Sequence, residues 1–552
     1  MPLGRHLHLV FGPPGTGKTT RLLSLLQAEL DRGVPVSQVA FLSFTRAARQ
    51  EACARVCRQL GLGQDDLPWF RTIHSAAFRL LGLKREHVLG PAHWRDFAGR
   101  YGYELTDGAC SDEDDDPHAV PARTDDDLLR YVLEWSRNRR LTLDQGLGRC
   151  RVNVPAVQAR RFAERIESFK AEQGLVDFTG MLERVLAQCL RPDVSVLFLD
   201  EAQDLSPLQI AVVEQWLAGC ERVYVGGDDD QAIYAFQGAE PAWLVGLEQR
   251  ASRVEKLQQS HRVPGLVHAL AERVIRQNRR RIEKAYDPRA DPGQVLVLPP
   301  ERVLAAIEGA GSVFVLARNR VFLRPWAERL LAAGEPFATE GRGSRSPLDD
   351  PRVPLAVATA RRLHEGKAVD APGLRALLAF VPSRGNDLLP HGVKSRADRN
   401  DLPVTRDELV EDWGLGHLLA EVDRAGPVHI LASLSAKHRA YLERVLARHE
   451  GRLPTPRIRL STIHGAKGRE ADAVVLVPDM TRATQAEYLC SGPEGEEAEN
   501  RVAYVAVTRA RRTLVLVEPR TRRFYSYARL LPRREKAQSA LSPFSAPEAL
   551  TG

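Results

Sequence analysis

The chain has 552 residues, 43% hydrophobic and 27% charged, with a formal charge of +7, a globular composition long enough for about three or four domains. Seven cysteines without a C-x-x-C pair argue against a zinc ribbon or iron–sulfur cluster, and an odd number of thiols suits a reducing compartment. No apolar run reaches the roughly 20 residues of a membrane span, and Met1 to Phe11 are too short for a secretory signal. The expectation is a cytoplasmic protein, and its arginine-rich basic excess fits a polyanionic partner.

In chain order, the apolar run Leu7 to Phe11 is followed by Gly12-Pro13-Pro14-Gly15-Thr16-Gly17-Lys18-Thr19 and then by a helical pattern from Thr20 to Leu30. Strand, glycine-rich loop and helix in that order form a phosphate cradle: backbone N–H groups close on the oxygens and the helix dipole favours their charge. Lys18 suits the β- and γ-phosphates, and the Thr19 hydroxyl suits Mg²⁺. A second strand starts at Val39 and ends in polar Thr45 and Arg46. A helical pattern runs from Ala47 to Leu60, and Phe70-Arg71-Thr72-Ile73-His74 comes next. This β-α-β-α order predicts an α/β fold with a doubly wound parallel sheet, in which ligands bind at the carboxyl ends of strands. Thr45, Arg46, Thr72 and His74 fall near that edge.

Residues 89–171 break the alternation and read as a helical insertion, with helical patterns at Leu128–Arg140 and Val154–Glu172. The acidic stretch Asp107–Asp127 reads most simply as a solvated loop, a metal site being the alternative. The alternation resumes at Val194–Leu199, which delivers Asp200 and Glu201 to a strand end. Asp200 is suited to hold Mg²⁺ through water, and Glu201 to orient and deprotonate an attacking water. The strand Val223–Gly227 leads to Gln231, beside the γ-phosphate, and to Tyr234 and Phe236, whose rings could stack on bases. Arg262 is expected after a further strand.

From about residue 266 a second sheet is expected, with strands at Val295–Leu298, Val313–Ala317, from Ile458, at Ala473–Val477 and at Thr513–Val517. Gly341–Pro354 reads as a linker, 355–450 as mixed helix and loop, and Glu499–Ala510 as a helix. The expected domains are a first core (1–88 and 172–265) with insertion 89–171, a second core (266–342 and 452–532) with insertion 343–451, and a loose tail, 533–552.

Three further segments carry fingerprints: G-D-x-D-Q-x-I-Y-x-F-x-G-A at Gly227–Ala239, T-I-H-G-A-K-G-x-E at Thr462–Glu470, and A-Y-V-A-V-T-R-A at Ala503–Ala510. With the phosphate loop they resemble the UvrD/Rep-type DNA helicases of superfamily 1 (1A). The resemblance implies two RecA-like P-loop domains, each with a mainly helical insertion, and ATP and Mg²⁺ as cofactors. It implies a nucleotide site formed by Gly12 to Thr20, with Asp200, Glu201 and Gln231. Arg262 and Arg509 would stabilise charge on the transferred phosphoryl group, and Glu470 would bind the ribose. It assigns a single-stranded DNA track to Phe44, Thr45, Arg46, Thr72, His74, Tyr234, Phe236, Thr462 and His464. Core packing is the competing reading for Phe44 and Phe236.

The resemblance further implies 3′ to 5′ movement on single strands and their duplex junctions, by a nucleoid-associated monomer or weak oligomer. Three departures stand out. The family's upstream adenine-reading glutamine element has no room in the eleven residues before Gly12. His261 stands where the family usually has a base-stacking tyrosine. The second insertion is shorter than in the larger members. A translocase without unwinding, a nucleotide-gated binding module and an RNA substrate stay open as alternatives.

Overall fold

The computed structural model describes residues 6–43, 50, 52–54, 56–58, 61–106, 124–150, 152–235, 238–341, 345–383, 388–490 and 492–531. The chain forms two compact units. One comprises Met1–Glu301, Ile463–Glu470 and Pro478–Gly552; the other comprises Arg302–Thr462 and Ala471–Val477.

In the first unit, β1 (His6–Phe11), β2 (Val39–Ser43), β3 (Phe70–Thr72), β4 (Val196–Asp200), β5 (Arg222–Gly227) and β6 (Arg253–Lys256) make a parallel sheet in the order β3-β2-β4-β5-β1-β6. Successive strand residues point to opposite faces, and both faces are apolar. Leu7, Leu9, Phe11, Leu197, Leu199, Val223 and Val225 enter one core. Val10, Phe41, Val196, Phe198 and Tyr224 enter the other, with Leu22, Leu23 and Leu26 from the helix Lys18–Asp31. Burial on both faces is why these strands read as nearly unbroken apolar runs. The ring of Phe198 stacks on Tyr224 at 4.5 Å and on Phe41 at 6.2 Å between centroids.

The chain leaves β6 and enters β7 (Gln259–Pro264), which pairs with β8 (Asp287–Arg289). Arg262 therefore follows β6, as expected, and itself lies within β7. β9 (Gln294–Leu298) pairs in parallel with the strand Ala510–Val517, which follows the helix Gly492–Val507.

Within residues 89–171, helices Pro91–Tyr101, Asp125–Asn138 and Ala156–Gln173 pack around Trp94, Phe97, Leu129, Phe162 and Phe169. The expected loop through Asp127 is corrected here, because Asp125, Asp126 and Asp127 form the first turn of a helix capped by the Thr124 side chain. Carboxylates there complement the helix dipole, and Asp127 also accepts hydrogen bonds from Thr106 N and Oγ1, both at 3.0 Å. Residues 107–123 lie outside the described residues.

The second unit holds β10 (Val313–Ala317), β11 (Phe337–Thr339), β12 (Ile458–Thr462) and β13 (Ala471–Val477), parallel and in the order β11-β12-β10-β13. The expected linker is largely structured: Ser346 caps a turn at Pro347–Asp349, Pro347 and Leu348 are buried, and a helix starts at Arg352. Among the described residues, six helices joined by loops make up the segment between Arg352 and Arg448, read as mixed helix and loop. Among the described residues, no helix is long and apolar enough to cross a membrane.

One ion cluster ties the first insertion to its core. Arg137 donates to Asp177 at 2.7 and 3.1 Å and to Glu183 at 2.6 and 3.0 Å. Burial alone would raise the Asp177 pKa; the Arg137 guanidinium and Lys170 outweigh it and hold the carboxyl well below the usual range. A depressed carboxyl contributes stability in full above its unfolded pKa near ~4, and that contribution is lost as pH falls towards the lower folded value. Arg137→Met strips Glu183 of its partner and leaves Asp177 with Lys170 alone, and is expected to destabilise the first unit by about 3 kcal/mol. Urea unfolding followed by tryptophan fluorescence at pH 7 checks this, and the difference from wild type should shrink as pH drops below ~4.

Candidate functional site

The phosphate loop is built by close approach. Gly15 has φ +75°, and a Cβ there would sit 2.3 Å from Arg262 Cβ. Behind the loop, Ser260 Oγ donates to Pro14 O at 2.8 Å and His261 N donates to Gly15 O at 2.9 Å. Thr16 Oγ1 donates to Pro13 O at 2.8 Å, and Gly12 N donates to Gly227 O at 3.2 Å. The helix opens at Lys18 with Gly17 as its cap and no side-chain cap bond, so its first-turn N–H groups are offered to a ligand. Thr20 and His261 are exposed, whereas Gly12, Pro13 and Pro14 are buried.

Opposite the loop, β4 ends in a strained turn. Glu201 has φ 57°, unusual for a residue with a Cβ. Lys18 Nζ lies 2.7 Å from Glu201 Oε1 and 3.8 Å from Asp200 Oδ1. Burial works against the Lys18 charge, but Glu201 and then Asp200 overcome it and raise its pKa. Burial likewise opposes the Glu201 charge, and Lys18 with Lys467 outweighs it, leaving a pKa of about 2. For Asp200, burial dominates and raises the pKa despite Lys18. Thr19 Oγ1 donates to Asp200 Oδ2 at 2.7 Å. A hydroxyl and a carboxylate are hard oxygen donors of the kind Mg²⁺ takes, so Thr19 and Asp200 fit the metal and would hold it.

Gln231 donates from Nε2 to Asp228 Oδ2 at 2.7 Å and accepts from Arg509 Nη2 at 3.3 Å. Arg509 is 1% exposed. Burial, then the charge of Arg262, pushes its pKa down to about 9. Guanidinium stays protonated in proteins, so Arg509 is a buried cation beside a second one, with Glu470 and Glu201 offsetting only part of the cost. Arg262 is ion-paired with Glu470, which also lies 3.6 Å from Arg511.

The three carboxylates Asp228, Asp229 and Asp230 lie close enough to share an ion. Lys284 Nζ fills that place, 3.0 Å from Asp228 and 3.1 Å from Asp230 and paired with Asp229, while Arg281 pairs with Asp230 at 2.6 Å. Lys284, Gln203, Asp204, Ser260 and Lys467 are contributors that sequence reasoning missed. Lys467 sits inside the Thr462–Glu470 fingerprint, and Gln203 and Asp204 follow closely on Asp200 and Glu201, but nothing in either segment names the other as its partner.

The residues expected along a DNA track are less fully assembled. Thr72 uses its hydroxyl to cap the helix Ile73–Leu80, accepting from Ser75 N at 3.3 Å. The His74 ring meets Phe178 edge-on at 6.0 Å. Tyr234 is 8% and His464 2% exposed, with ring centroids 6.2 Å apart. Thr462 ends β12 in the second unit and is 3% exposed. Phe44, Thr45, Arg46 and Phe236 lie outside the described residues.

The profile of the UvrD/REP helicase N-terminal domain matches residues 3–252, and that of the UvrD-like helicase C-terminal domain matches residues 438–520. The chain belongs to the UvrD/Rep family of superfamily 1 helicases. Family relatives include ATP-dependent DNA helicase UvrD2 of Mycobacterium tuberculosis, strain ATCC 25618 / H37Rv. It is 27% identical over 92% of this chain and 76% of the relative. DNA helicase II of Escherichia coli K12 is 24% identical over 94% of this chain and 83% of the relative. The parallel sheets flanked by helices agree with the RecA-like architecture expected of this family.

Gly15→Ala forces a side chain into left-handed backbone and against Arg262. Binding of a fluorescent ATP analogue is expected to weaken at least tenfold, on the order of the 1–3 kcal/mol held in such strained positions, with the thermal unfolding midpoint shifted by only a few degrees.

Proposed function

We propose that this protein is an ATP-driven motor that moves 3′ to 5′ on single-stranded DNA and separates duplex at single/double-strand junctions. The observation that supports it best is the connected set Lys18–Glu201, Thr19–Asp200 and Gln231–Arg509, gathered in one compact unit.

The ion pairs suggest how the site works. ATP offers Lys18 phosphate oxygens in exchange for Glu201. Once Lys18 turns to phosphate, Glu201 loses the stronger of the two cations that depress its pKa, keeping only Lys467, and becomes a stronger base for water. Arg509, short of negative charge in the free protein, gains it from the γ-phosphate, and Gln231 is fixed beside it. Arg262 must leave Glu470 to reach phosphate, which frees Glu470 for the ribose. Thr19 and Asp200 would hold Mg²⁺, which would supply positive charge against the phosphates. The hydroxyl of Thr72 and the imidazoles of His74 and His464 suit phosphates of a single strand.

The test is steady-state ATP hydrolysis with no nucleic acid, single-stranded DNA, duplex DNA and RNA. Single-stranded DNA should stimulate turnover most, and Glu201→Gln should lower kcat by about 10²–10⁴-fold while nucleotide still binds. Duplex with a 3′ single-stranded tail should be opened and duplex with a 5′ tail should not. Hydrolysis indifferent to nucleic acid would sink the motor reading. Displacement of a bound protein without strand separation would reduce it to a translocase.

A further inference from the structure

The ammonium of Lys467 has an unusual set of neighbours. It pairs with the Asp204 carboxylate, where the side chains are 7% and 1% exposed. It donates to the backbone carbonyl of Gln231 at 2.8 Å, and it lies 4.9 Å from the centroid of the Tyr234 ring. Lys467 N also donates to His464 O at 3.0 Å, closing one turn that carries both side chains.

Asp204 leads onward. Gln203 Nε2 donates to Asp204 Oδ2 at 3.2 Å and also to Glu201 Oε2. Its Oε1 accepts from Asp228 N at 3.0 Å, and Asp228 holds the side chain of Gln231. A single buried cation thus touches the Tyr234 ring and the Gln231 backbone directly, and reaches Glu201 through two side chains. Burial, only partly offset by Lys467, pushes the Asp204 carboxyl up to about 6, so this acid depends on its cation.

We propose that Lys467 is a positioning residue that couples a nucleic-acid strand lying at Tyr234 and His464 to the hydrolytic geometry of Glu201 and Gln231. This rests on the motor function proposed above. A strand that shifts the Tyr234 ring or the His464 turn moves the ammonium. A buried ammonium cannot leave its carboxylate without a large penalty, so Asp204 and Gln203 follow and the Glu201 carboxylate is reoriented. The contact to the Gln231 carbonyl shifts the other half of the site in the same motion. Lys467 itself touches neither water nor phosphate in this scheme; it sets where the groups that do are held.

The experiment compares ATP turnover with and without single-stranded oligothymidylate in wild type, Lys467→Met, Lys467→Arg and Tyr234→Ala, with strand affinity measured by fluorescence anisotropy. Lys467→Met is expected to lower the ratio of stimulated to unstimulated turnover by about tenfold, within the usual range of coupling between sites, while the strand Kd stays within about threefold, well under that coupling. Lys467→Arg, which keeps the cation, should recover part of the ratio. Adding Tyr234→Ala to Lys467→Met should cost little more than Tyr234→Ala alone, because both break the same link. A wild-type ratio in Lys467→Met overturns the proposal. So does a loss of stimulated and unstimulated turnover in equal proportion, the mark of a purely structural lysine. If circular dichroism shows that Lys467→Met does not fold, Asp204→Asn takes its place under the same two criteria. A wild-type protein that single-stranded DNA fails to stimulate is a separate result, which defeats the motor reading itself.

Discussion

The central strands of the first sheet are apolar on both faces, and buried charged residues cluster beyond the carboxyl ends of β4 and β5, where they must neutralise one another. Lys18 meets Glu201 and Asp200 there, Lys467 meets Asp204, and Lys284 meets Asp228, Asp229 and Asp230. A buried charge without a partner is far costlier than a buried pair. Each loop at that edge is therefore held by the next, and the site is a mesh of mutual dependence rather than a row of independent side chains.

The mesh contains two kinds of acid. Asp228, Asp229 and Asp230 carry resident cations, Lys284 and Arg281, and serve to fix Gln231 and the loop around it. Asp200 and Glu201 share Lys18, a cation that on the proposed reading nucleotide draws away. The distinction lies in what surrounds them: Lys284 is enclosed at 2% exposure, with no ligand to leave for, while Lys18 stands at the mouth of a loop made to bind phosphate. Charge that is spoken for builds the scaffold, and charge that can be exchanged is available for chemistry.

Much of this was legible in the sequence, for identifiable reasons. Parallel strands buried on both faces read as continuous apolar runs, so β1, β4 and β5 stood out, and with them Asp200, Glu201 and Gln231 at their ends. The phosphate loop was legible because its glycines answer a local steric demand. Charge runs were less informative, since Asp125–Asp127 fits a solvated loop or a helix N-terminus equally well until the Thr124 cap is seen. Pairings between distant segments were not legible at all. Nothing local in Lys284, Ser260 or Lys467 announces Asp229, Pro14 or Asp204 as its partner, because those contacts exist only once the sheet has brought the loops together.

The brace behind the phosphate loop has a consequence for the making of the protein. Pro14 and Gly15 are held by Ser260 and His261, and Gln231 meets Arg509, 278 positions later in the chain. Synthesis proceeds from the amino terminus, and early domains generally fold as units while later ones are still being made. On a ribosome the loop would therefore emerge 246 residues before the serine that braces Pro14, and Gln231 well before the arginine it meets. A stretch of chain that stops before Ser260 lacks the brace behind the loop, and one that stops before Arg509 lacks the donor to Gln231, so the site is complete only when segments far apart in sequence are all present.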